Sequence, residues 1–390
     1  LDADTRLTVL GLDPRRTHLY DYHKAHGKLV EFAGFEMPVW FEGVIPEHHA
    51  VRNGVGVFDV SHMGRTIVEG PDAERFMNHM ITNDVSALDP MSALYTVMCN
   101  PRGGIVDDFI TYRLSGDRFL VIFNASNREK DFNWFQGHVK GFKVKLRDIS
   151  DEVAMISVQG PRSPETLQKL CTGVVTDFGR FRLTRTKLCG FDAMAARTGY
   201  TGEDGFELFI LDCPLNEPEK ALTVWDDLLG AGKGFGIRPC GLGARDSLRL
   251  EAGLSLYGND IDDDINPIEA KLKWVVKLKK SSDFIGKAAL LKVVEEGVKR
   301  GRVGIMMEDR GIPRHGYEIW DGDKKIGILT SGGYSPTLDV GIALGYVPPE
   351  YEELGTPVGV KIRERLAKGK VVKSHPFYDE SKYGWKREKG

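Results

Sequence analysis

Val158-Gln159-Gly160-Pro161, with Leu167 and Leu170 behind it, repeats a pattern met ninety residues earlier as Val68-Glu69-Gly70-Pro71 with Phe76, Met77 and Met80. Each reads as strand, glycine turn, then helix, with proline at or near the first helical position, where its missing N–H costs nothing. The parallel continues downstream. Residues 117–123 (DRFLVIF) lead to a helix containing Phe132 and Trp134, and residues 205–210 (GFELFI) to one containing Leu222 and Trp225. A partner strand and a turn precede each: residues 110–113 with Ser115-Gly116, and residues 193–197 with residues 201–204 (TGED). Each unit is therefore strand, helix, hairpin, helix, the pattern of an α+β domain with an antiparallel sheet. Its repetition predicts two similar domains facing each other, with a pocket between them.

Beyond the second unit, Asp262-Asp263-Asp264 reads as a solvated loop and residues 274–278 as a strand, while Ser281-Ser282 is placed to cap a helix carrying Phe284, Ala288, Leu290, Leu291 and Val294. From Arg302 to about Ser374 the pattern changes to short β runs at 303–307, 317–320, 326–330, 342–347 and 358–362. That predicts a third domain, a small antiparallel barrel or sandwich. The 390-residue length agrees with two or three domains.

Composition narrows the function. Apolar residues make up 41% and charged residues 28%, and 53 Lys plus Arg against 56 Asp plus Glu leave a net charge of −3. This excludes a strongly basic nucleic-acid binder and an acidic disordered tail. No apolar run is long enough for a membrane span, and the opening LDADTRLTVL has neither a basic leader nor an apolar core, so the chain reads as soluble and unexported. Five scattered cysteines (Cys99, Cys171, Cys189, Cys213, Cys240) disfavour a disulfide framework and a zinc site. Forty-five glycines call for many tight turns and close backbone approaches.

Several signatures fail. Gly232-Lys233 lacks the remainder of a phosphate loop, and in residues 241–246 (GLGARD) Asp stands where a dinucleotide fold needs its third glycine. His48-His49 and His62 have no carboxylate or cysteine at metal-ligand spacing, which favours a structural role. Asp107-Asp108, after Gly103-Gly104-Ile105-Val106, lies in a predicted strand, where alternation sends one acid to solvent and the other inward. The inward acid reads as a turn-closing aspartate or as a ligand group. The glycine-dense stretch 197–208 (RTGYTGEDGFEL) lets the backbone approach something flat, with acids to read donors, or is an ordinary turn with solvent charges. Arg245 and Arg249, four apart on one helix face with Asp246, read equally as a binding pair or a surface ion-pair face.

Taken together, FAGFEMP (32–38), HHAVRNGVGVFDVSHMG (48–64), GGIVDD (103–108), VQGP (158–161), RTGYTGEDGFEL (197–208), CGLGARDSLRLEAGLSLYGND (240–260) and TSGGYSPTL (330–338) strongly resemble the glycine cleavage system T-protein family, the aminomethyltransferases. The resemblance runs in order from about Leu19 to Tyr378. It implies a three-domain cloverleaf: a discontinuous α+β domain from 1–55 and 152–280, an inserted α+β domain at 56–151, and an antiparallel β-barrel at 281–390. It implies tetrahydrofolate in the central opening, with no metal and no nucleotide. Residue by residue, the family's catalytic aspartate falls on Asp108, its pterin-reading pair on Tyr200 and Glu207, and its folate-tail arginine on Arg245. Phe181, Tyr378 and Asn124 fall on further pocket positions.

The implied reaction takes an aminomethyl group from the lipoyl arm of a carrier, the H-protein. Loss of the thiolate gives a methylene iminium, folate N5 attacks it, and ammonia leaves as N10 closes the ring, yielding 5,10-methylenetetrahydrofolate and the reduced arm. A fixed carboxylate stabilises the developing positive charge. The alternative is another folate-dependent demethylase or one-carbon transferase of the same superfamily; such relatives alter the GYTGE or GARD segments, both intact here. The resemblance further implies no nucleic-acid or membrane partner, and a cytoplasmic location, or the mitochondrial matrix in a eukaryote. The residues through Arg15-Arg16 precede the family's usual start and read as an extension. The lysines Lys368, Lys370, Lys373, Lys382, Lys386 and Lys389 read as a basic face toward an acidic carrier or as a solvated tail.

Overall fold

The computed structural model describes residues 13–387, so Lys389 and the first twelve residues of the expected extension lie outside the described residues. Gly70 and Gly160 anchor the two repeats in the same way. Both have positive φ, +135° and +128°, and a Cβ at either would strike a backbone carbonyl, of Lys143 and Gly54 respectively. Helices Ala73–Met80 and Ser163–Gln168 follow. Pro71 and Pro161 stand just ahead of those helices, not inside them; Pro164 occupies the first turn of the second.

The second repeat forms a six-stranded sheet in the order Leu183–Leu188, Phe191–Ala196, Gly205–Ile210, Ala154–Gln159, Gly56–Asp59 and Arg238–Pro239, antiparallel except for the last pair. The first repeat forms a five-stranded antiparallel sheet, ordered Ser92–Cys99, Ile105–Ser115, Arg118–Phe123, Gly64–Glu69 and Lys145–Asp148. One core lies between the two sheets. Ile67, Tyr112, Leu120 and Ile122 of the first repeat interlock there with Met155, Met194 and Phe209 of the second. Trp225, Leu228 and Val224 of helix Glu219–Gly232 cover the outer face of the six-stranded sheet, and Phe76, Met77 and Phe135 cover that of the five-stranded sheet. A sheet apolar on both faces needs such a cover on each side.

The third body is a closed barrel in the order Gly301–Met307, Val340–Val347, Lys324–Ser335, Glu318–Asp321, Pro357–Ile362 and Arg365–Val372. The expected five strands are present, and Arg365–Val372 closes the barrel as a sixth. Its alternating burial carries few large apolar residues, which hid it in the sequence.

Three local expectations differ. Gly56–Asp59 pairs with Ala154–Gln159, so the boundary drawn between 55 and 56 moves beyond Asp59. The strand expected at 274–278 is a 3-10 turn, Lys273–Val275. The helix expected after Ser281-Ser282 begins at Lys287 behind Gly286, leaving Phe284 outside it and buried. Tertiary anchors override the local pattern there. Lys280 Nζ donates to the carbonyls of Asn78, Ile81 and Asn83, each at 2.7 Å, and the Ile285 amide donates to His79 O, which holds the chain against the C-terminal end of helix Ala73–Met80. No described helix is long and apolar enough to cross a membrane, and all five cysteines are free.

Candidate functional site

Gly103 (φ +89°) and Gly104 open the strand that bears the acid pair, and Gly104 packs so tightly against the Asp263 carbonyl that a side chain has no room. Asp262-Asp263-Asp264 is therefore half solvated loop and half wall: Asp262 O accepts from the Ile105 amide, and Asp263 O accepts from Asn100 Nδ2 at 2.9 Å. Within Ile105–Ser115 the two acids alternate faces, yet neither reaches bulk water: Asp107 is 0% exposed and Asp108 9%. The expectation that one acid would face solvent fails because helix Arg128–Gly137 covers the other side of the strand.

Asp108 accepts from Tyr95 Oη at 2.7 Å and from Asn124 Nδ2 at 3.1 Å. Asn124 Nδ2 also reaches Asp107 Oδ1 at 2.8 Å and Asp108 O at 2.9 Å, clamping the acids together. Burial, then the neighbouring Asp107, pushes the Asp108 carboxyl up to about 7. Tyr95 was not legible as a site residue. It faces Ile110 across the hairpin, and Asp108, two residues along, is its diagonal neighbour on the same face. Only the strand register exposes that relation.

Tyr200 lies half-buried on the glycine hairpin, its hydroxyl donating to Ser255 O, with the Arg245 guanidinium 4.7 Å above its ring. Asp108 and Tyr200 are close enough for the carboxylate to raise the phenol further than burial alone. Glu207 accepts from Thr198 Oγ1 at 2.6 Å and Tyr112 Oη at 3.3 Å, and its charge bears on Arg245. Asp108 and Asn124 are thus joined by a hydrogen bond, Asp108 bears on Tyr200 through its charge, and Tyr200 and Glu207 bear on Arg245 of helix Leu242–Glu251.

The two readings of the arginine pair divide between its members. Arg249 is buried in ion pairs with Asp246 and Asp260, each at 2.8 Å, whereas Arg245 turns to Tyr200. The hairpin's own charges are likewise split: Arg197 holds Asp204 at 2.6 Å, which secures the turn.

Phe181 and Tyr378 have neighbours of their own. Phe181 adopts φ +57° beside the inter-sheet core and bonds through its backbone to Arg197 and Ala93. The Tyr378 ring lies 4.7 Å from the Arg52 guanidinium, its hydroxyl against Gly202 and Gly384. It belongs to a buried network that sequence reasoning missed: Arg52 donates to Glu251 at 3.0 Å and to Glu203 at 3.0 Å, and Glu203 also pairs with Arg387. Arg52 gave no signal because an arginine on an amphipathic helix reads as surface.

His48 bonds to Ser247, Thr337 and Glu251 in the interior, and burial, aided by Arg245, holds His62 down to about 3. No cluster of three potential metal ligands occurs among the described residues.

Residues 19–280 match the family model described as the GCVT N-terminal domain, and residues 300–379 match the glycine cleavage T-protein C-terminal barrel domain. Aminomethyltransferases of Caldanaerobacter subterraneus subsp. tengcongensis and Alkaliphilus oremlandii are 45% and 46% identical over 369 residues, 94% of this chain and 96% and 98% of theirs. The crystal structure of glycine cleavage system aminomethyltransferase T from Bartonella henselae superposes with a TM-score of 0.86 at 35% identity, covering 95% of this chain and 99% of that one. With the duplicated sheets and the closing barrel, these matches establish that the chain belongs to the glycine cleavage T-protein family, the aminomethyltransferases.

Proposed function

We propose that this aminomethyltransferase takes the aminomethyl group from the lipoyl arm of the H-protein and delivers its methylene to tetrahydrofolate, with Asp108 as the group that meets the developing cation. The observation that carries this reading is the setting of Asp108: nine-tenths buried, fixed by Tyr95 and Asn124, and beside Tyr200. Carbon–sulfur cleavage leaves the electron pair on sulfur and positive charge on the aminomethyl carbon and nitrogen. A carboxylate in a water-poor site stabilises that charge far more than one in bulk water. An arriving cation also favours the ionised form of Asp108 over its proton-bound form.

Tyr200 and Glu207 read the pterin ring from the hairpin, and Arg245 meets the carboxylate end of the folate. Asn124 orients Asp108, and Phe181 and Tyr378 shape the walls of the opening. On this reading the first domain boundary falls past Asp59, and the opening lies where the two sheets meet the barrel. The bacterial relatives support a cytoplasmic setting.

Turnover is expected only with aminomethylated, lipoylated H-protein and tetrahydrofolate together, read as ammonia and 5,10-methylenetetrahydrofolate. Asp108→Asn is expected to lower kcat at least a hundredfold while tetrahydrofolate still binds. Activity with a free methylated compound in place of the carrier defeats this reading, as does an active Asp108→Asn enzyme.

A further inference from the structure

Asp131 is fully buried, and neither of its carboxyl oxygens has a hydrogen-bond donor. It stands in the first turn of helix Arg128–Gly137 and comes within hydrogen-bonding reach of Asp107, the acid on the far side of the strand from Asp108. The two carboxyls are served very unequally. Asp107 accepts from the Asn124 amide at 3.3 Å, from Asn124 Nδ2 at 2.8 Å and from Asn127 Nδ2 at 2.8 Å. Two buried carboxyls that share a hydrogen bond cannot both be ionised, and the proton settles on the one with fewer donors.

We propose that Asp131 is held as a neutral carboxylic acid that donates its proton to Asp107, and that this bond is what fixes the Asp107–Asn124 clamp on Asp108. Asp131 is then a positioning residue. It touches no substrate and acts through Asp107 and Asn124, and its link to turnover rests on the reading of Asp108 given above.

The other charged and titratable groups around Asp131 leave the assignment standing. Lys130 Nζ lies 4.0 Å from Asp131 Oδ1, but its protons go to Val106 O at 2.6 Å and Tyr257 Oη at 2.9 Å. Tyr257 in turn donates toward Asp263 Oδ2 at 3.4 Å. From the strand, Asp107 and Asp108 both present negative charge to Asp131, and with burial they push its carboxyl well above the usual range. The pull of the helix N-terminus on a carboxylate in its first turn is weak beside these. A buried carboxyl without a donor is otherwise hard to explain, because leaving such a group unpaired is costly. As a proton donor, Asp131 is satisfied.

Two variants and one spectrum test this. Asp131→Asn puts an amide donor where the acid's O–H stands and leaves the charge unchanged. Its kcat is expected within about threefold of wild type, and the acid limb of its kcat/KM profile is expected not to move. Asp131→Leu removes the donor, and kcat is expected to fall about tenfold with KM for tetrahydrofolate unchanged. The infrared difference between wild type and Asp131→Asn at neutral pH is expected to contain the carbonyl stretch of a protonated carboxylic acid. A missing acid band, or an acid limb displaced to lower pH in Asp131→Asn, means that Asp131 carries a charge and overturns the proposal. The infrared reading does not depend on turnover, so it holds or fails separately from the role of Asp108.

Discussion

At the scale of single residues, the site is governed by how many donors each carboxyl receives. Asp108 has two side-chain donors and a negative neighbour, and its proton is lost near neutral pH, at about 7. In the proposed role the group is needed ionised, so kcat/KM for the carrier is expected to fall as pH drops through that value. Asp107→Asn removes the like charge that raises Asp108, and the acid limb is expected to move to lower pH, measured as the apparent pKa of kcat/KM. An acid limb that stays in place would separate Asp107 from the titration of Asp108. The acid pair stood out as a candidate in residues 103–108, and the family resemblance picked out Tyr200, Glu207 and Arg245 in their glycine-rich segments. Tyr95 and Asp131 were not, because each reaches the pair only through a strand register and a helix docking that no short window of sequence encodes.

At the scale of elements, hairpins and glycine turns followed the sequence closely, since alternation and turn chemistry are local. The segment 273–286 did not. Its Val275-Val276 run promised a strand, but the buried Lys280 ammonium gathers three carbonyls and bends the chain into turns. Burial pushes that amine down to about 7. The helix Val44–Asn53 is tied to helix Leu242–Glu251 and to the glycine hairpin by Arg52, whose guanidinium meets Glu251, Glu203 and the Thr201 and Leu248 carbonyls. Arg52→Ala would remove the counter-charge that two buried carboxylates share, leaving Glu203 with Arg387 alone and Glu251 with His48, a loss of about 3–5 kcal/mol. Denaturant unfolding is the measurement, and a loss below about 1 kcal/mol would mean that water replaces the guanidinium.

At the scale of the molecule, buried ion pairs lie where the bodies join. Glu251 accepts from Arg52, from Ser335 and from Thr337 of the barrel side, and against its burial His48 first, then Arg52 and Ser335, hold its carboxyl down to about 2. Asp59 is depressed as well, by His23 and Thr17, despite its burial. A carboxyl with a depressed folded pKa contributes stability above its unfolded value and loses it as pH falls toward the folded one. Stability is therefore expected to decline as pH drops from about 4.5 toward 2, read as a falling Tm, and Glu251→Gln is expected to flatten that decline.

Four of the six C-terminal lysines are not free charges. Lys370, Lys373, Lys382 and Lys386 pair with Glu308, Glu380, Asp379 and Glu380. Nor is the tail merely solvated: Phe377 and Trp385 donate backbone bonds to Glu251 and Gly202. At the other end, Arg15 bridges to Phe35 and pairs with Asp151, so the end of the expected extension is part of the fold.

The core between the two sheets has a further consequence for how such a chain could be taken apart. The inserted unit leaves at Asp59 and returns at Ala154, and Asp59 and Ile156 are paired on neighbouring strands, so a short turn could close the gap after excision. Yet the remainder would bare Met155, Met194 and Phe209, and the excised piece would bare Ile67, Tyr112 and Leu120. Each half would be an adhesive surface seeking the other. The insertion is topologically detachable and energetically tied to its host, so the duplicated pair is expected to unfold as one unit.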